Sequence, residues 1–225
     1  MSTTRRGLIL TAAALAAAPG AAMAADDKKK PGPPLKKVFP YYDLYLGIPA
    51  AERSRFVMAY YLKVNGKPTS GQNLYVVMPG GARTLLTQAA DGRVTRMPTL
   101  AEMKDGILDV DRKNPTDKFS VAMEMQPVVR LGETVATADL VAAIEQCNTA
   151  IRKRAGVIGF AVPKMEQVLF AGAGSGQSIA GDRVSPLPAF KAYVAFKPAD
   201  HAGAQSLKFG KAPVRALLAG GKLKG

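Results

Sequence analysis

In 225 residues the chain has one histidine, one cysteine and no tryptophan, and each scarcity closes a route. A lone cysteine, Cys147, cannot make an internal disulfide, so stability must come from a buried core. With His201 as the only histidine, a Ser-His-Asp or Cys-His nucleophile has just one place to form, and histidine-rich zinc coordination is excluded by count. Acid is scarce as well: 17 Asp and Glu face 31 Lys and Arg, a formal charge of +14. After the amino terminus no apolar run approaches the ~20 residues of a membrane-spanning helix.

The amino terminus reads in the three zones of a cleavable export signal: Arg5 and Arg6, an apolar stretch from Leu8 to Ala18, and the small-x-small pattern Ala22-Met23-Ala24 before the expected cut. Residues 1–24 are therefore expected to be removed, leaving a periplasmic or secreted protein. Thr4-Arg5-Arg6-Gly7-Leu8-Ile9 resembles a twin-arginine signal, and the general secretory route stays open beside it. Cleavage takes two arginines and no acid, so 29 basic against 17 acidic residues leave +12. Outside the cytoplasm such a charge draws a protein to lipid headgroups, lipopolysaccharide or acidic glycan, whereas export removes the opportunity for nucleic acid. Solubility is the other use of the charge.

Residues 25–37 are charged and proline-rich, and they read as a disordered basic leader. Period-two alternation follows. Phe56, Met58, Tyr60, Leu62 and Val64 share a face before the turn signal Asn65-Gly66, and Leu74 to Met78 is an apolar strand. Asp91-Gly92 suggests a second hairpin returning through Val94 to Met97. Phe119, Val121, Met123 and Met125 alternate with polar or small residues. Leu140, Ile144, Cys147 and Ile151 form the stripe of one long helix, with Thr137 as its cap, Arg152, Lys153 and Arg154 in its last turn and Gly156 as its stop. Thr99 and Glu102 have capping-box spacing. Strands resume at Val157 to Val162, Met165 to Ala171 and Phe190 to Phe196.

The expected fold is α+β and mainly antiparallel: a β-sandwich-like region over 38–131, then a helix with further strands over 132–219, forming the same domain or a second unit, and a flexible tail over 220–225. Phe39-Pro40-Tyr41-Tyr42-Asp43-Leu44-Tyr45, the strand Phe56 to Leu62, and the helix leading to Phe160-Ala161-Val162-Pro163 together resemble uncharacterised exported proteins of proteobacteria. The resemblance covers most of the mature chain and implies no activity, ligand or catalytic residue.

No residue set points to catalysis, a cofactor or a metal. His201 reads as an exposed loop histidine and Cys147 as a buried, idle hydrophobe. Asp109, Asp111, Asn114 and Asp117 lack EF-hand spacing and read as a polar hairpin loop. Gly172-Ala173-Gly174-Ser175-Gly176-Gln177 lacks the third glycine of a dinucleotide fingerprint and reads as a hairpin connection running on through Gly181 and Asp182. Two groups remain as candidate binding residues. Tyr41, Tyr42 and Tyr45 would stack on sugars or partners, or pack into the core beside the first strand. Lys28, Lys29, Lys30, Lys36 and Lys37 would touch an anionic surface or serve as a solvated tether. The function expected is a non-enzymatic envelope protein that binds a partner, an anionic surface or a small ligand. A carboxylate-dependent glycan hydrolase and an assembly factor of an envelope complex are the alternatives.

Overall fold

The computed structural model describes residues 32–68, 72–111, 114, 116–158 and 163–221. In chain order they form helices α1 (Leu35–Val38) and α2 (Tyr42–Leu46), then strands β1 (Phe56–Val64), β2 (Lys67–Pro68), β3 (Leu74–Val77) and β4 (Arg83–Leu86). Helix α3 (Leu100–Asp105), strands β5 (Ile107–Val110), β6 (Phe119–Pro127) and β7 (Thr134–Ala136), and the long helix α4 (Thr137–Ile158) follow. The remaining strands are β8 (Met165–Ala171), β9 (Gly176–Ala180), β10 (Arg183–Pro186), β11 (Ala189–Phe190), β12 (Tyr193–Phe196), β13 (Ser206–Phe209) and β14 (Arg215–Gly220).

Strands β1 and β6 pair antiparallel along their whole length, from Phe56 opposite Pro127 to Val64 opposite Phe119, but burial does not follow the expected alternation throughout: Ala59 and Tyr61 are buried with their neighbours, Met123 is exposed and Gln126 is buried. At the end of β1, Asn65 (φ 53°) and Gly66 (φ 77°) both take the positive φ of a two-residue hairpin turn, which sends the chain back as β2. The large sheet has the order β11-β12-β8-β14-β6-β1-β2, and its strands pair antiparallel throughout. A four-stranded sheet, β10-β9-β13-β7, and a three-stranded one, β4-β3-β5, complete the strands.

Register decides which side chains share a face of the large sheet. Phe56, Met58 and Tyr60 fall with Met125, Leu218, Phe170 and Val194 on one face, and all are buried. Ala150 and Ile151 of α4 close on this face beside Phe56 and Met58, and Phe39 packs edge-on to Tyr60 at 5.2 Å. Phe209 of the four-stranded sheet meets Phe170 at 4.7 Å. The three-stranded sheet joins through Leu35 of α1, which lies against Gly106. These layers make the molecule sandwich-like, α+β and mainly antiparallel, with one long helix followed by strands. Helix α4 lies on the face of the large sheet that carries Phe56 and Met58. Val57, Tyr61, Glu124, Gln126 and Arg215 belong to the opposite face.

Several boundaries differ from the sequence expectations. The basic leader does not run to Lys37 as a disordered segment: Leu35 is buried, its N–H bonds to the Gly106 carbonyl, and Gly32 lies against the Leu108 carbonyl. The export signal, Lys28, Lys29 and Lys30, and residues 222–225 of the expected tail lie outside the described residues, while Gly220 belongs to β14. The regions 38–131 and 132–219 are not separate units, because the large sheet takes strands from both. Helix α4 continues through Gly156 to Ile158, a glycine inside a helix costing only ~1 kcal/mol. Val157 and Ile158 are thus helical, residues 159–162 are not described, and Arg152–Arg154 stand a turn before the helix end. The Thr137 hydroxyl donates to the Ala204 carbonyl, and α4 begins at Thr137 itself. Phe190–Phe196 is a hairpin, β11 to β12, broken by Lys191 at φ 52°. Residues 172–175 cross between sheets, as do those from β5 to β6, and Val94 contributes an isolated bridge rather than a return strand.

Candidate functional site

Of the two readings of Tyr41, Tyr42 and Tyr45, a stacking surface or packing into the core beside the first strand, the structure has the second for Tyr42 and Tyr45. Tyr42 and Tyr45 are 7% and 6% exposed and lie in an aromatic cluster with Tyr60 and Phe56. Burial raises the pKa of Tyr42 and pushes that of Tyr60 up further, and the Tyr60 hydroxyl donates to the Pro40 carbonyl. Tyr41 is half-buried in a left-handed conformation at the start of α2. The three rings make no exposed stacking platform. Lys36 and Lys37 are exposed, and Lys36 sits 3.5 Å from Asp43.

His201 is half-buried rather than exposed, and its Nδ1 lies 2.8 Å from the Ser178 hydroxyl. A serine nucleophile needs an accessible Oγ and a base oriented by a third group. Ser178 is buried in the middle of β9, and among the described residues no carboxylate orients the His201 ring. The pair ties the 198–204 loop to the four-stranded sheet. Cys147 is fully buried, and burial pushes its thiol up to about 12, so it stays protonated and unreactive near neutrality. The acidic run around Asp109 has an internal cation. Arg83 reaches across β3, 3.5 Å from the Tyr75 ring centre, and places one guanidinium nitrogen 2.8 Å from Asp109 and 2.7 Å from Asp111. Among the described residues no three His, Cys, Asp or Glu side chains gather as a metal site requires.

A groove of about 700 Å³ runs between α4 and the start of β8. Glu145 and Glu166 both line it, and Glu145 lines a neighbouring groove with Glu52, which is paired with Lys153; a two-carboxylate hydrolase would be sought at such pairs. A general acid stays protonated near neutrality through burial, but Glu145 is exposed and Glu166 is solvated beside Lys197 at 3.9 Å. Asn148 forms the groove's inner wall and is fully committed to structure. Its Nδ2 donates to the Met165 carbonyl and its Oδ1 accepts from the Met165 N–H, both at 2.8 Å.

A second groove, about 500 Å³, opens on the face of the large sheet opposite α4. Its floor is a polar network set into an otherwise apolar sheet. Glu124 and Gln126 are two residues apart on β6, so both point outward, and Gln126 Nε2 donates to the Tyr61 hydroxyl and to Glu124 Oε2, each at 2.8 Å. Arg215, the first residue of β14, lies 4.8 Å over the Tyr61 ring and 3.6 Å from Glu124. Burial works against its charge, but the bond to Tyr61 and the Glu124 carboxylate outweigh it and hold Arg215 protonated more firmly than a free arginine. Arg93 and Arg130 line the same groove, as do the exposed Val128 and Val214.

Sequence reasoning did not single out Arg93, Arg130 or Arg215, which come from three distant segments. The readable trace was Glu124 and Gln126, polar residues on the outward face of a strong strand. No family model matches the chain, and no significant match was found among curated proteins or solved structures.

Proposed function

We propose that the chain is an exported, non-enzymatic protein of the cell envelope, periplasmic or secreted, that associates with an anionic surface there. The observation that supports this reading most is how the charge is arranged. Asp43, Glu52, Glu102, Glu124 and Glu166 each sit beside a lysine or arginine of the fold. Lys67, Lys104, Arg130, Lys208 and Lys211 face solvent. The surplus positive charge, +12 once residues 1–24 are removed, is thus carried outward, where it acts at a charged interface rather than in a closed site. The three basic residues Lys28, Lys29 and Lys30 add to it, at up to ~1 kcal/mol for each cation near an anionic membrane.

The test is binding of the mature protein, cut after Ala24 and verified by intact mass, to phosphatidylglycerol and phosphatidylcholine vesicles over a salt series. Binding to the anionic vesicles alone is expected, with loss as the Debye length falls from ~10 Å at 0.1 M to ~3 Å at 1 M. No binding at low salt, or binding indifferent to salt, would refute the proposal.

A further inference from the structure

The 500 Å³ groove on the outward face of the large sheet has features that general basicity does not explain. We propose that it seats the phosphate headgroup of an anionic membrane lipid, with Arg93, Arg130 and Arg215 meeting the phosphate while Val128 and Val214 enter the interface beside it. This rests on the surface association proposed above and names its folded site.

Three observations carry the assignment. First, the groove's lining carries three arginines against one acid, Asp91, whose carboxylate accepts from the Arg93 backbone N–H at 3.0 Å, while Glu124 beside it is held by Arg215 and Gln126. Arg93 and Arg130 have no ion-pair partner among the described residues, so charge complementarity is left for a ligand. Second, the cations lining the groove are arginines, whose planar forks match pairs of phosphate oxygens. Arg215 is fixed in place by Tyr61 and Glu124, so little side-chain freedom is lost on contact. Third, valines stand exposed at the lips, Val214 at 80% and Val128 at 53%. Apolar side chains next to cations suit the boundary between headgroups and acyl chains, where one enters the hydrocarbon edge and the other meets phosphate.

An acidic peptide is the rival occupant, and the exposed Val128 and Val214 at the lips, which a chain of carboxylates would leave unmatched, favour the lipid.

The experiment compares Arg93→Gln/Arg130→Gln with Lys104→Gln/Lys208→Gln, a control pair that removes the same charge elsewhere. Phosphatidylglycerol vesicles at low salt are the probe, and circular dichroism checks each fold. The groove pair should bind about 25-fold more weakly than the parent, the factor that ~2 kcal/mol gives at ~1 kcal/mol per cation and ~1.4 kcal/mol per tenfold. The control pair should lose clearly less. Because the chain has no tryptophan, Val214→Trp places a single indole fluorophore at an 80% exposed site where it cannot disturb packing. Its emission should shift to the blue on anionic vesicles and stay unshifted with soluble glycerol 3-phosphate. Equal losses in both pairs, an indole emission that ignores vesicles, or displacement by a glutamate-rich peptide would overturn the headgroup site while leaving the surface association standing. Failure of the parent to bind anionic vesicles would instead remove that association itself.

Discussion

Replacing Cys147 with alanine should change stability in opposite directions on the two sides of about pH 10. The side chain is fully buried on the sheet-facing stripe of α4, and its removal near neutrality costs on the order of 1 kcal/mol of packing. The thiol's pKa is pushed from 9.0 up to about 12 by burial. Below pH 9 both folded and unfolded states hold the proton, and the group gives stability no pH dependence. Above it the unfolded chain ionises while the folded one cannot, so stability falls as pH rises through the window from 9 to about 12. At pH 11 the unfolded thiol lies ~2 units above its pKa, and at ~1.4 kcal/mol per unit the wild type loses ~3 kcal/mol that Cys147→Ala does not. The variant should therefore be the weaker protein at about pH 8 and the stronger by ~2 kcal/mol at about pH 11, less whatever the denatured ensemble recovers. Tyr60, whose pKa is also raised by burial, titrates in both proteins and cancels in the difference. Urea unfolding of both at about pH 8, 9.5 and 11 reads the crossing. A stability gap between them that stays constant with pH would show that Cys147 is not desolvated as described.

Asn148→Ala leaves the N–H and carbonyl of Met165 without their side-chain partners in a buried site, and an unmatched buried group costs ~1–3 kcal/mol. A fall of ~2–4 kcal/mol in urea stability is expected, and a change under ~1 kcal/mol would mean that the amide clamp is dispensable. Gly176→Ala puts a methyl group 2.9 Å from Leu187 and Val194 and 3.0 Å from Phe209, so ~1–3 kcal/mol should be lost to overpacking between the two larger sheets. An unmoved thermal midpoint would contradict the close approach.

What could be read from the sequence was local. Asn65-Gly66, the strands β1 and β6, the capping box of Thr99 with Glu102 and the apolar stripe of α4 depend on residues a few positions apart, and each appears as expected, although within β6 Met123 is exposed and Gln126 buried. The errors arose where contacts across the fold decide. Val157 and Ile158 carry β-branched side chains, yet they extend a helix already propagating from Thr137. For Tyr42 and Tyr45 the sequence left a stacking surface open beside core packing, and only the contacts with Tyr60 and Phe56 decide for the core. The outward groove was hidden for the same reason: Arg93, Arg130 and Arg215 become neighbours only once β14 lies beside β6. Ser178 and His201 likewise meet only through the tertiary fold, and neither residue's local sequence announces the other.

The position of β14 has a consequence for how the protein is made. In the large sheet β2, β1 and β6 form one block and β8, β12 and β11 another, and β14 is the sole strand between them. It is also the last strand in chain order among the described residues. A ribosome delivers both blocks before the piece that joins them, so a nascent chain can assemble two partial sheets but not the whole one. The unmated edges of β6 and β8 are open to the wrong partners throughout that interval. Release of the chain through Gly220, rather than completion of any earlier hairpin, is the event that lets the central sheet close.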